Sequence, residues 1–245
     1  MSEVHKGGDP SQRAGLGVYV IGQTPRPDLI EELAARFPFL HLEIVGALDG
    51  LARGDFPACA RQGYPIETKL RDGTRVVVDA EFVEPLLQTA VNALDARVFA
   101  HLVLCAGPFP RLAAPAAPAG LPWGSSPLLR PFDVAVAHLT ARGLRQLDVV
   151  VPFGAQAAPS LHKWASAGFG CRPHVLEERP RHQSVGEWLA GLVGGRWAQA
   201  LVFDYVGMRP DILEEVLHRL DCPVFELGRL ALDALQETLE ATGGA

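Results

Sequence analysis

Two stretches of sequence, HLVLCAGPFP at residues 101–110 and LVFDYVGMRP at residues 201–210, decide the fold. In each, an apolar run leads into a reactive or polar side chain, which glycine and proline follow. This pattern is typical of a buried parallel strand that enters a loop. Ligands of open α/β sheets bind just beyond the carboxyl ends of the strands. Cys105 is therefore well placed for chemistry, and the two stretches look like equivalent parts of two related halves.

Strands and helices alternate on both sides of these stretches. The run GVYVI at residues 17–21 and the run LDVVV at residues 147–151 each open one half. Such alternation predicts a parallel sheet covered by helices on both faces. We therefore predict an α/β protein of two similar lobes, each a parallel sheet flanked by helices, with an interlobe cleft. The residue pairs expected to face each other across the cleft are Cys105 with Tyr205 and Gln23 with Gln156.

Proline and glycine mark the expected boundaries of the lobes. Residues 1–14 are polar and lack the apolar core of a signal peptide, so a disordered tail is expected there. The N-terminal lobe is expected at residues 15–120, with a hairpin insertion near residues 66–78. The proline-rich stretch at residues 108–127 is the predicted linker. The C-terminal lobe is expected at residues 128–245.

The composition limits the classes of function. The chain has 245 residues, of which 48% are hydrophobic and 20% are charged, as is typical of a globular protein with its own core. A net charge of −6 argues against nucleic-acid binding, and no apolar run reaches the roughly 18 residues of a membrane span. Four cysteines lie scattered without zinc spacing, so we expect no metal, no disulfide and a reducing cytoplasm. The sequence has no GxGxxG or Walker motif for binding phosphate groups.

Several of these motifs are similar to those of the AroM family. The most specific is IGQTPRPD at residues 21–28, and VGALDGL at residues 45–51 and LCAGPFP at residues 104–110 accompany it. The resemblance covers roughly residues 17–235. AroM proteins in turn resemble the two-lobed, cofactor-independent aspartate/glutamate racemase superfamily.

The resemblance to that superfamily implies two thiols that face each other across the lobe interface. One removes the proton on carbon 2 of a carboxylic substrate, and the other returns a proton to the opposite face. Cys105 matches the first thiol, whereas Tyr205 stands where the second is expected. A phenol with an ordinary pKa near 10 is ionised less at neutral pH than a thiol with a pKa near 8.5. It is therefore a poorer base at that pH, although it can donate a proton.

Loop residues around these strand ends are candidates for holding the substrate. Gln23 and Thr24 precede a helix, whose N-terminus favours anions, and Arg26 would add a bidentate hydrogen-bonded contact to a carboxylate. The structural alternative is that Thr24 only caps the helix and Arg26 is solvated. Asp204 is either an acid–base group or a hydrogen-bond partner of the next loop. Further substrate contacts are predicted for Ala106, Gly107, Gln156 and Gly207.

The leading hypothesis is a cofactor-independent racemase, epimerase or isomerase acting at carbon 2 of a small carboxylic or amino acid. Cys105 supplies the thiol, and Tyr205 or Asp204 faces the opposite side of the substrate. A single-thiol decarboxylase is a close variant, because Tyr205 replaces the second thiol. A non-catalytic, regulatory carboxylate-binding protein and a hydrolase with a Cys105 nucleophile are the alternatives. Lys163 is expected on a solvated helix face, and a homodimer is one alternative for the oligomeric state.

Overall fold

The fold was determined as a computed structural model, which describes most of the chain. The described residues are 15–57, 59, 63–95, 97–116, 126–193 and 197–241. The predicted tail at residues 1–14 and residues 117–125 of the predicted linker lie outside them.

Within the described residues, the chain forms two four-stranded parallel sheets and one antiparallel hairpin. The strands are β1 (Gly15–Val20), β2 (His41–Gly46), β3 (Pro65–Lys69), β4 (Arg75–Asp79), β5 (Val98–Val103), β6 (Leu128–Leu129), β7 (Gln146–Val151), β8 (Gly170–Val175), β9 (Ala200–Phe203) and β10 (Val224–Glu226). The first sheet has the order β2-β1-β5-β6, and the second has the order β10-β9-β7-β8. Strands β3 and β4 pair with each other as the hairpin.

Helices flank both sheets, which confirms the predicted α/β class. They are α1 (Pro27–Arg36), α2 (Ala80–Leu94), α3 (Pro131–Ala141), α4 (Ala157–Ser166), α5 (Val185–Leu192), α6 (Pro210–Arg219) and α7 (Leu227–Ala241). Local sequence explains where several of them begin. Proline occupies the first turn of α1, α3 and α6, where its missing N–H costs no helical hydrogen bond. The Asp79 side chain caps α2 by accepting a 2.9 Å hydrogen bond from the Glu81 N–H.

The two sheets are equivalent in topology. The first sheet is compared from its β2 edge and the second from its β8 edge. In each, the second strand is the one that opens that half of the chain (β1 or β7), and the third is the one before the loop with Cys105 or Tyr205 (β5 or β9). The Leu104 N–H donates to the Tyr19 carbonyl on β1 at 2.8 Å, and the Asp204 N–H donates to the Val150 carbonyl on β7 at 2.9 Å. Leu104 and Asp204 therefore hold matching positions, and so do the residues that follow each of them, Cys105 and Tyr205.

Two elements cross from the expected second lobe to the first sheet. Residue 128, the expected start of the C-terminal lobe, falls in β6, which pairs with β5. Helix α7 packs its apolar stripe, which includes Leu232, Leu235 and Leu239, into the core of the first sheet. Each leucine buried in this way contributes about 2 kcal/mol. The periodicity of α7 predicts an apolar face, but it does not specify which sheet that face covers.

Strand β5 ends earlier than the apolar run in the sequence. The run at residues 101–105 predicts a strand that reaches Cys105, whereas β5 ends at Val103. Cys105 consequently lies in a loop beyond the strand end, on the side where parallel sheets bind ligands. None of the helices in the described part of the chain is both long and apolar enough to cross a membrane.

Candidate functional site

A small cavity lies where the strand ends of the two sheets meet the hairpin. Its volume is about 100 Å³. The loop after β5 contributes Cys105, and the loop after β9 contributes Asp204 and Tyr205. Residues at the starts of α1 and α4 and residues of β3 also line it. They are Arg26, Gln156, Ile66, Glu67 and Thr68.

Cys105 presents a half-buried thiol to this cavity. Burial raises the pKa of the thiol to about 11, against the lowering effects of the Gly107 N–H and the charges of Lys163 and Arg26. The Gly107 N–H lies 3.3 Å from Sγ. A Cβ at residue 107 would lie 2.9 Å from Ile66 Cδ1 and 3.3 Å from that sulfur, so only glycine fits without displacing them. The thiol therefore carries its proton near neutral pH. The Gly107 N–H and the charges of Lys163 and Arg26 favour its thiolate, whereas the charge of Asp204 disfavours it.

A buried ion pair lies beside the thiol, between Lys163 of α4 and Asp204. Lys163 Nζ lies 2.6 Å from Asp204 Oδ1 and 2.7 Å from the Ala106 carbonyl oxygen. The second oxygen of Asp204 accepts hydrogen bonds from Ser160 and from Trp164 Nε1. Burial lowers the pKa of Lys163, whereas the adjacent carboxylate of Asp204 raises it. With both of its oxygens bonded, Asp204 is suited to holding Lys163 in place.

The burial of Lys163 corrects the expectation that it lies on a solvated face. Its side chain is only 3% exposed, and its Nζ lies 4.6 Å from the centre of the Phe132 ring. The sequence contains a signal for this position. Ser160, Lys163 and Trp164 share one face of α4 at helical spacing, and all three are buried.

Tyr64 connects this ion pair to the cavity. Its hydroxyl oxygen lies 3.1 Å from Lys163 Nζ, and its ring lines the cavity. A lysine ammonium only donates, so the tyrosine oxygen accepts and its own proton remains available to a ligand. Burial holds the pKa of Tyr64 well above its ordinary value. Tyr64 belongs to a motif, YP at residues 64–65, that resembles the AroM family, but the sequence does not predict it as a site residue, because its role depends on contacts with distant segments.

Tyr205 lines the cavity from the second half, in the position equivalent to Cys105. Its ring packs edge-on against Phe203, with the ring centres 5.9 Å apart. Burial raises the pKa of Tyr205 well above its ordinary value, and the negative charge of Glu226 adds to this effect. At neutral pH Tyr205 therefore carries its proton and can donate it.

Arg26 and Gln156 occupy matching places at the N-termini of α1 and α4. The Arg26 guanidinium is buried, and it bonds Asp28 through two nitrogens and Thr68 Oγ1 through the third. Three of its five N–H groups are thus used within the described residues, which leaves two for a ligand. The Arg26 hydrogen bonds and the charge of Lys69 lower the pKa of Asp28 to about 2, against the opposing effect of burial.

The structure does not bring Gln23 and Thr24 to the cavity. Gln23 Nε2 donates to the carbonyls of Leu48 and Leu51, and Thr24 donates to Asp49 from its N–H and its hydroxyl. Both side chains hold the loop together and are not among the residues that line the cavity. The partner of Gln156 across the cavity is therefore Arg26, which corrects the expected pairing of Gln156 with Gln23.

Gly207 also lies outside the cavity lining, whereas Ala106 and Gly107 belong to it. Gly207 has a φ of +88°, and a Cβ there would lie 2.7 Å from Leu29 Cδ2. Its glycine is explained by this backbone conformation and close approach. No group of three or more His, Cys, Asp or Glu in the described residues is arranged to hold a metal ion.

The fold and the site together define a class of two-lobed α/β protein with a thiol at the strand ends where its halves meet. The chain belongs to the AroM family, because the family model described as AroM protein matches residues 16–239. No curated protein matches the sequence significantly.

Solved structures with the same fold include three enzymes of low sequence identity. Glutamate racemase from Bacillus anthracis is 13% identical, with a TM-score of 0.56 over 95% of this chain and 84% of that one. Maleate isomerase from Pseudomonas putida S16 is 13% identical, with a TM-score of 0.55 over 92% and 93% of the two chains. Unliganded arylmalonate decarboxylase is 14% identical, with a TM-score of 0.54 over 94% of each chain. At these identities the likeness establishes the fold alone.

Proposed function

We propose that this protein transfers a proton at carbon 2 of a small carboxylic or amino acid, as a cofactor-independent racemase, epimerase or isomerase. The observation that carries the proposal is the position of Cys105. Its thiol enters a cavity between topologically equivalent strand ends, opposite the loop that carries Tyr205. The similarity in fold to a racemase and an isomerase supports the same class of chemistry.

In this proposal the carboxylate of the substrate binds the two N–H groups that Arg26 has left. Cys105 first gives its proton to solvent, and the charge of Lys163 stabilises the resulting thiolate. The thiolate then takes the proton from carbon 2 and leaves an enolate. The hydroxyl of Tyr64 donates a hydrogen bond to the enolate oxygen, where negative charge develops. Tyr205 gives a proton to the opposite face of carbon 2. Cys105 then holds the proton that it took from the substrate, and the Tyr205 phenolate takes a proton from solvent.

A second candidate, decarboxylation, is favoured by the single thiol. Of the described residues that line the cavity, Cys105 is the only cysteine, and its raised pKa keeps it protonated. After CO₂ leaves a malonate-type substrate, the remaining enolate needs one proton and no base. The Cys105 thiol supplies that proton. The similarity in fold to arylmalonate decarboxylase supports this candidate.

Proton NMR in D₂O tests both candidates and also the alternative of a non-catalytic binder. The panel contains amino acids, hydroxy acids and substituted malonates, with wild type, Cys105→Ala and Cys222→Ala run in parallel. Cys222 is a free cysteine outside the cavity lining, so it is the matched control. The proposal predicts deuterium at carbon 2, with a loss of roughly 10²–10⁴-fold in Cys105→Ala alone. Loss of CO₂ identifies the decarboxylase, and full turnover by Cys105→Ala contradicts both candidates.

A further inference from the structure

Gln156 holds a buried hydrogen-bond acceptor at the cavity, and no described residue of the protein pairs with it. The residue is 7% exposed and lines the cavity. Its Nε2 donates a 2.8 Å hydrogen bond to the Pro65 carbonyl on β3. Its Oε1 is shielded from solvent and has no hydrogen-bond partner among the described residues. A buried carbonyl of this kind is costly to leave unpaired.

The bond to Pro65 fixes the orientation of the Gln156 amide. Rotating the amide by half a turn would place Oε1 against the Pro65 carbonyl oxygen, and two acceptors would then face each other. The amide oxygen therefore stays on the side away from β3. A ligand that satisfies this oxygen must carry an N–H or O–H group.

The charged side chains around the cavity are also consistent with a ligand that carries an N–H or O–H donor. Asp204 is paired with Lys163, and Glu67 is paired with Arg75. The acidic side chains that line the cavity are thus already occupied, and the amide oxygen of Gln156 remains as an acceptor. Arg26 retains two donors, which suit a carboxylate. A donor and a carboxylate close together on one small molecule match both groups.

We propose that Gln156 Oε1 accepts a hydrogen bond from an ammonium or hydroxyl group on carbon 2, so that the substrate is a small 2-amino or 2-hydroxy acid. This assignment rests on the proposed function and narrows its substrate class. Arg26 of the first half holds the carboxylate, and Gln156 of the second half holds the heteroatom on carbon 2. The hydrogen on carbon 2 is then left for Cys105. A malonate with an alkyl substituent lacks the donor and leaves Oε1 unpaired.

A series of acids of nearly equal size tests the assignment by binding alone. Lactate, alanine and isobutyrate differ at carbon 2 in carrying a hydroxyl, an ammonium or a methyl group, and a cavity of about 100 Å³ suits three-carbon acids. Dissociation constants are measured by NMR titration. We expect lactate or alanine to bind at least roughly tenfold more tightly than isobutyrate. Whichever of the two binds more tightly distinguishes a hydroxy acid from an amino acid.

The variant Gln156→Met keeps the length of the side chain and removes its acceptor. We expect it to bind all three acids equally, whereas the control Gln146→Met, on the exposed start of β7, keeps the preference of wild type. The readout is the ratio of the affinities for the three acids, so a variant that binds all of them more weakly does not give the same result. Thermal unfolding verifies that the variant is folded.

Three results of the binding experiment overturn the assignment. They are a wild type without preference, a preference that survives in Gln156→Met, and failure of both lactate and alanine to bind. This experiment measures binding, which does not depend on turnover. A protein that prefers lactate yet exchanges no proton at carbon 2 therefore contradicts the proposed function and leaves the assignment of Gln156 intact. Deuterium exchange at carbon 2 of a ligand that lacks a donor there supports the proposed function and contradicts the assignment of Gln156.

Discussion

Replacing Lys163 by methionine removes the positive half of the buried ion pair while keeping most of the side-chain volume. The ammonium loses its contacts with Asp204, the Ala106 carbonyl and Tyr64. Asp204 keeps the hydrogen bonds from Ser160 and Trp164, but its charge loses its partner. Both side chains of the pair are at most 3% exposed, so water does not compensate.

The expected cost of Lys163→Met is large. Removing one partner of a buried pair costs about 3–5 kcal/mol, because an uncompensated charge is left behind. For a chain of this length that corresponds to a fall in Tm of roughly 6–20 °C. The matched control is Lys69→Met, whose pair with Asp28 is about 40% exposed on both sides. An exposed pair contributes at most about 1 kcal/mol.

Urea unfolding followed by circular dichroism measures both losses, and the double variant Lys163→Met/Asp204→Leu completes the comparison. Removing both charges together restores much of the stability, since an apolar pair no longer leaves a buried charge. A Lys163→Met cost no larger than that of Lys69→Met would refute the account. It would mean that the pair is hydrated and that Lys163 is not held beside Cys105.

Three further predictions concern other features of the site and its surroundings. Burial raises the pKa of Glu226 from its ordinary 4.5 to about 7, with Glu32 adding to the rise and Arg229 and the Gly228 N–H opposing it. The folded state therefore holds this proton more tightly than the unfolded state, and about 3 kcal/mol of stability is lost as the pH rises from 4.5 through 7. Thermal unfolding should show that Glu226→Gln is stabilised relative to wild type at about pH 8 and not at about pH 4. An equal difference in stability at both pH values contradicts the raised pKa of Glu226. Gly107→Ala places a methyl group against Ile66 and Cys105, and unfolding and turnover should both show a loss, of about 1–3 kcal/mol in stability. Alkylation of Cys105 by iodoacetamide, followed by mass spectrometry, should accelerate up to about pH 11, and a plateau near pH 7 would show a thiolate already formed.

Much of the fold is predictable from local patterns. The apolar runs at β1, β5, β7 and β9 are buried, as central strands of a parallel sheet must be. The cap at Asp79 and the prolines that begin three helices fix helix starts by short-range chemistry. The match between Cys105 and Tyr205 follows from the repeated order of strand, polar residue and glycine.

The parts that could not be predicted depend on contacts between distant segments. The amphipathic pattern of α7 fits either sheet, and β6 has only two residues, too few for a periodic signal. Thr24 and Arg26 are both polar residues before a helix, and only the positions of Asp49 and β3 determine which of them reaches the cavity. The burial of Lys163 likewise depends on Asp204, which lies 41 residues further along the chain.

The role of Cys105 is tested by deuterium incorporation at carbon 2 of a small carboxylic acid in D₂O, measured with wild type and with Cys105→Ala. We expect incorporation by wild type and its loss, by roughly 10²–10⁴-fold, when the thiol is removed. Equal incorporation by both proteins would contradict the role given to Cys105. A ligand that binds the cavity and is never exchanged or decarboxylated would show that the protein binds a carboxylate without acting on it.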